Sequence, residues 1–278
     1  MFHKLSLGAA VAALTVAFGG IAPASASTTT VNTTGGGSGG ERCLIGSPLC
    51  TGNVGATYTG KASIQTILEA DVGTLSRVDD DFDQIWQTLF NGPGLVLGRA
   101  RYAGYSDTLG YVDSAAGPLA PFNSLLGIAT NNKVFVNAGN PFLPESDVDS
   151  LGSSTFTVFQ PTGSFRFALK RPDGVILSSS QTDNPFGKDQ MVTLVAADPT
   201  AGGATVSDGM QTYNVVARYI IAFEDLTAGS RSGMPGDYDY NDYVFELVNV
   251  QPVPVPAAIP LFLSGLAGLG LISRRRNA

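Results

Sequence analysis

The stretch YIIAFEDLTAGSRSGMPGDYDYNDYVFELVNV, residues 219–250, sets two apolar runs around a polar, glycine-containing middle. Its first run, which extends back to Tyr213 and ends at Phe223, is rich in aromatic and β-branched residues, the composition of a strand. Tyr243–Val250 reads the same way, so residues 227–242 become a long connecting loop. If the two strands pair as neighbours, Glu224 and Asp225 close the first where Asp242 opens the second. Asp237, Asp239 and Asn241 stand just before that point, so five carboxylates and one amide carbonyl gather at a single hairpin end.

Working outward, further short runs read as strands: Leu95–Leu97, Lys133–Val136, Thr155–Phe159, Ser164–Leu169, Val175–Leu177 and Met191–Ala196. Phe165, Phe167 and Leu169 alternate with Ser164, Arg166 and Ala168, which places one set on each face of a strand. Arg171-Pro172-Asp173-Gly174 is a turn between two such runs. The pattern predicts a mainly all-β fold, a β-sandwich or jelly-roll-like domain over residues 57–250. One segment departs from it. Residues 63–90 open with Ile64, Ile67 and Leu68 at helical spacing, interrupted at Gly73, and predict a short helical segment. No repeat of 20–50 residues is present.

The clustered acids raise an electrostatic problem. Carboxylates sharing a site cannot all ionise cheaply, and a hard divalent cation removes the conflict. Calcium takes oxygens from Asp, Asn and loop carbonyls, and the alternate spacing Asp237-x-Asp239-x-Asn241 turns successive side chains toward one centre. The loop is not an EF-hand. Its sixth position is Asp242 instead of Gly, its twelfth is Val248 instead of Glu, and a strand follows it. The expected ligand set is Glu224, Asp225, Asp237, Asp239, Asn241 and Asp242. A solvated acidic turn, in which Asp and Asn bond their own backbone, is the competing reading. A second acidic run, Asp79-Asp80-Asp81-Phe82-Asp83, reads as an exposed negative loop, because adjacent acids splay to opposite sides of an extended chain.

The ends fix the expected compartment. Residues 1–26 carry Lys4, an apolar stretch from Leu5 to Ile21 and the small-residue site Ala24-Ser25-Ala26, the three parts of a secretory signal peptide. Residues 27–56 form a Ser/Thr/Gly-rich linker that contains Cys43 and Cys50, which in an exported chain are expected to pair as a disulfide. So short a loop contributes about 2–3 kcal/mol on a loop-entropy estimate. Residues 251–278 combine Pro254 and Pro256, an apolar run Ala257–Ile272 expected to form a hydrophobic helix, and Arg274, Arg275 and Arg276. Removal of both ends takes four of the 16 basic side chains and none of the 23 acidic ones, which deepens the net charge of −7. An acidic body does not bind nucleic acid by neutralising phosphates. The one histidine, His3, falls in the signal peptide. A mature chain without histidine has no Ser-His-Asp triad and no histidine zinc site.

Val253-Pro254-Val255-Pro256, the apolar run and the arginine cluster together resemble the PEP-CTERM sorting tail of Gram-negative bacteria, with Val255 in place of the usual central Glu. The resemblance implies transient anchoring in the inner membrane, recognition by an exosortase, and delivery to the cell surface or the exopolysaccharide matrix. Phe223-Glu224-Asp225-Leu226, a Gly-rich loop and Asp237-Tyr238-Asp239-Tyr240-Asn241-Asp242 also resemble an uncharacterised bacterial surface-domain family with the signature FEDL followed by DxDxND. Asp189-Gln190-Met191-Val192-Thr193 is similar to the strand that precedes this unit. The likeness covers about residues 186–248. It implies a β-sandwich module with a calcium-binding acidic loop.

These readings converge on an exported, non-enzymatic cell-surface or extracellular-matrix protein. Two alternatives stay open. A carbohydrate-binding module for exopolysaccharide would need exposed aromatics, for which Trp86, Tyr102, Tyr105 and Tyr111 are the candidates. A carboxylate-based glycoside hydrolase would need two acids about 5–10 Å apart in an open cleft.

Overall fold

The computed structural model describes residues 43–45, 62–78, 84–101, 103, 106–113, 121–127, 133–134, 156–187, 189–225 and 240–253. The expected signal peptide, most of the linker with Cys50, the acidic run 79–83, Asp237, Asp239 and residues 254–278 of the expected sorting tail lie outside these residues, while residues 251–252, assigned to the tail from sequence, belong to the last strand of the fold. Among the described residues no helix is long and apolar enough to cross a membrane.

The fold is mainly β, with one α-helix among the described residues. Helix α1 (Ile64–Val72) starts at Ser63, whose side chain accepts from the Thr66 N–H at 3.2 Å, and stops at Gly73, where φ is +77°. A Cβ on Gly73 would also stand 2.7 Å from Ala201 Cβ, so glycine is required there twice over. The strands in chain order are β1 (Leu75–Arg77), β2 (Trp86–Thr88), β3 (Gly94–Arg101), β4 (Thr108–Asp113), β5 (Asn123–Gly127), β6 (Lys133–Val134), β7 (Thr157–Phe159), β8 (Phe165–Lys170), β9 (Ile176–Ser178), β10 (Met191–Ala196), β11 (Thr205–Ser207), β12 (Thr212–Asn214), β13 (Arg218–Phe223), β14 (Tyr243–Val248) and β15 (Val250–Pro252). One sheet runs β1-β10-β13-β14-β3-β6, with β7 also on β3; the other runs β15-β2-β8-β4-β5, with β9 also on β8. Strands β11 and β12 form a separate hairpin. Every described pairing is antiparallel.

The helical expectation over 63–90 holds only for its first third. After Gly73 the chain turns into β1 and β2, because Leu75 and Trp86 have sheet faces to bury. The run 213–223 is likewise two strands, β12 and β13. Tyr243–Val250 is interrupted at Asn249, where φ is +59° and the chain leaves the first sheet to start β15 on the second.

Both faces of the first sheet are covered, which gives three layers. Met191, Ile221, Phe223, Tyr243, Phe245 and Leu247 point between the sheets and meet Trp86, Leu109, Phe165, Phe167 and Leu169 from the second. Val192, Leu194, Ile220, Ala222 and Val244 point the other way, against Ile64, Ile67, Leu68 and Val72 of α1. This is why β13 and β14 read as continuous apolar runs: a strand buried on both faces does not alternate. Trp86, Phe165 and Phe167 carry the inter-sheet core through edge-to-face contacts at 5.1–5.4 Å, Trp86 also meeting Tyr219.

One charged residue breaks the apolar pattern of β14. Glu246 lies on the helix side, 2.5 Å from Arg99 Nη2 and 3.3 Å from Arg218 Nε. Arg99 also pairs with Asp71 of α1, and Arg218 donates to the Gly203 carbonyl at 3.2 Å. The carboxylate therefore ties β14 to β3, to β13 and, through Arg99, to the helix. Breaking a buried ion pair strands the remaining charges, so Glu246→Gln should destabilise the protein by about 3–5 kcal/mol in urea unfolding. A variant that unfolds within about 1 kcal/mol of the parent would show that Asp71 alone satisfies the arginines.

Candidate metal centre

The site is built at the open end of the β13–β14 pair. Phe223 pairs with Tyr243, so the residues just beyond them, Glu224 and Asp225 on one side and Asp242 on the other, leave the sheet together. All three are buried, and each has an oxygen within 4.8 Å of an oxygen of the other two. The Asp225 N–H donates to Asp242 Oδ2 at 2.7 Å, which locks the two strand ends in this register. The Glu224 N–H donates to the Gln190 carbonyl at 3.0 Å and extends the β10–β13 ladder by one step. Tyr240, at φ +54°, bends the incoming chain. Its hydroxyl donates to the Asp189 carbonyl at 3.2 Å, and its ring joins the helix-side core.

The second sheet closes the site from the other side. The turn Arg171–Gly174 forms as the sequence predicts, with Gly174 at φ +89°. It brings the Arg171 Nη1 donor to the Asp225 carbonyl at 3.3 Å. Asp107, just before β4, donates its N–H to the Tyr243 hydroxyl at 2.9 Å, and Arg101 Nε donates to the same oxygen at 3.2 Å. Asp107 is 1 % exposed, and neither of its carboxylate oxygens accepts a hydrogen bond among the described residues. Burial, and then the charge of Asp225, push its carboxyl up to about 8, against the opposing pull of Arg171 and Arg101. Burial likewise pushes the Tyr243 hydroxyl well above its ordinary range.

Of the six ligands expected from sequence, Glu224, Asp225, Asn241 and Asp242 are described and all four are buried at one strand end. Asp237 and Asp239 lie outside the described residues. The burial argues against a solvated acidic turn, whose carboxylates would face water. Sequence reading missed Asp107, Arg101 and Arg171, which reach the site from the opposite sheet and from the far end of β3. Nothing local marks them, because the packing of the two sheets brings Asp107 and Arg171 to this end and the long-range β3–β14 pairing brings Arg101. Gln190 was legible only as part of a strand.

The aromatic candidates for a sugar-binding face are placed differently. Trp86 is fully enclosed between the sheets, and Tyr111 packs against Phe159 and Phe165. Tyr102 and Tyr105 lie outside the described residues. Comparison with known proteins returns no matching family model, no similar curated protein and no similar solved structure.

Three carboxylates within 4.8 Å and away from water repel one another. Removing one charge should therefore stabilise the cation-free protein. Glu224→Gln is expected to raise Tm in EDTA by several degrees, since about 1 kcal/mol moves Tm by roughly 2–4 °C in a domain of this size. A fall in Tm would mean that the ionised Glu224 is satisfied within the protein.

Proposed function

We propose that the chain is an exported, non-enzymatic cell-surface or extracellular-matrix protein whose β-sandwich is held by a calcium ion at the β13–β14 end. The observation that carries this reading is the convergence of Glu224, Asp225 and Asp242, all buried, with Asn241 beside them. Oxygen-only ligands of this kind are the chemistry of hard cations, and calcium accepts the irregular, many-oxygen geometry of a loop. Asp237 and Asp239, five and three residues before Asp242, are the natural further donors of the set.

Export rests on the signal-peptide pattern of residues 1–26. Surface delivery rests on the tail resemblance, with Pro254, Pro256 and Arg274–Arg276 as the segment an exosortase would read at the inner membrane. The acidic balance of the chain agrees with a protein that meets cations and not nucleic acid. Cys43 is fully buried, and no free cysteine is present among the described residues, which favours a Cys43–Cys50 disulfide. A hydrolase is less well supported. A cleft between Gln87, Thr88 and the segment Gln160–Ser164 is lined by neutral residues, while the densest carboxylates sit sealed at the strand ends.

Calcium would act by mass action, binding the folded state and not the unfolded chain. Extracellular calcium sites often have Kd values around 10⁻⁴–10⁻³ M. At a hundredfold excess over Kd the stabilisation is about 2.7 kcal/mol. The purified protein should therefore melt several degrees higher in about 10 mM calcium, a hundredfold excess over a Kd near 10⁻⁴ M, than in EDTA, reversibly. Identical melting curves in calcium and EDTA would remove the calcium role.

A further inference from the structure

Gln190 is fully buried, and neither its Oε1 nor its Nε2 has a hydrogen-bond partner among the described residues. A buried primary amide left without partners is costly, so its position needs a reason. The register supplies one. Met191 pairs with Phe223 and Phe223 with Tyr243, and these three side chains all point between the sheets. Val192, Ala222 and Val244, the row behind, all point to the helix side. The next row forward is Gln190, Glu224 and Asp242, and alternation puts it on the helix side as well. The hydrogen bond from Glu224 N–H to the Gln190 carbonyl keeps the two residues directly opposite. Directly opposed side chains on one face stand about 4.5–5.5 Å apart at Cβ. The amide of Gln190 is thus the immediate neighbour of the Glu224 carboxylate on the β10 side, as Asp242 is on the β14 side.

We propose that Gln190 supplies a neutral oxygen ligand to the cation centre, so that one hard divalent ion ties together the ends of three adjacent strands, β10, β13 and β14. The inference rests on the reading of the Glu224–Asp225–Asp242 cluster as a cation site. Amide carbonyl oxygens are ordinary calcium ligands beside carboxylates. A neutral ligand adds coordination without adding to the repulsion that the three acids already carry. The Asp107 carboxyl, buried and without a hydrogen-bond partner among the described residues, stands near Asp225 from the second sheet. The ion then acts as a clasp at the end where the β10–β13 and β13–β14 ladders run out past Met191, Phe223 and Tyr243.

Two variants and two readouts test this: calorimetric titration of the purified protein with calcium chloride, and Tm in EDTA. Gln190→Met replaces the amide with an apolar side chain of the same length. It should weaken calcium binding by about tenfold, on the scale of losses seen when a group supporting a metal site is removed. Its Tm in EDTA should stay level or rise, because two unbonded polar atoms leave the interior. Gln190→Glu should bind calcium more tightly than the parent and melt lower in EDTA, because it adds a fourth like charge. Parent-like calcium affinity in Gln190→Met would overturn the proposal while leaving the calcium reading intact, as would a fall in its EDTA Tm, which would reveal a structural partner for the amide. No heat and no saturation with the parent protein itself would overturn the calcium reading and this inference with it.

Discussion

The mutual repulsion of Glu224, Asp225 and Asp242 is the constraint on which the rest of the site depends. Each acid is buried, and each has an oxygen within 4.8 Å of the others. In water such a group costs little; inside a protein the same separation is far more expensive, because the medium screens less. A fold that keeps three such side chains together carries a repulsion that nearby positive charge relieves. Arg171 and Arg101 stand near this group, with Arg171 on the Asp225 carbonyl and Arg101 on the Tyr243 hydroxyl. A bound divalent cation would offset the repulsion of the three acids directly.

The architecture explains why the acids sit there. The first sheet is buried on both faces, by the second sheet and by α1. Its strands therefore offer no exposed face for function, and the strand ends are where polar chemistry can enter. The two halves of the molecule use charge differently. At the middle of β14, Glu246 meets Arg99 and Arg218 and closes a structural network with the helix. At its start, Asp242 meets two further acids. The same strand thus carries one carboxylate set between two arginines and one set beside two further acids.

Much of this was legible in the sequence because it is local. The β13–β14 pairing, the position of Glu224 and Asp225 opposite Asp242, the turn at Arg171–Gly174 and the inward row Phe165, Phe167 and Leu169 all follow from short patterns. What the sequence hid is tertiary. Strands β1, β2, β4, β5 and β11 are short or glycine-bearing and lack a clear period. The helix pattern after Ile64 was cut short by a glycine held in the left-handed region, so the segment to Phe90 went to strands instead. Trp86 could not be told from a surface aromatic until the second sheet was seen to close over it. Asp107 stands more than a hundred residues from its neighbour Asp225, and only sheet-on-sheet packing relates them.

Terbium luminescence addresses the central claim most directly, since terbium(III) substitutes for calcium at oxygen sites and is sensitised by nearby tyrosines such as Tyr240 and Tyr243. Excitation of tyrosine in the purified protein should give saturable terbium emission that calcium displaces and that Asp242→Asn diminishes. Absence of emission, or emission that calcium does not displace, would contradict a cation held by the acids at the β13–β14 end.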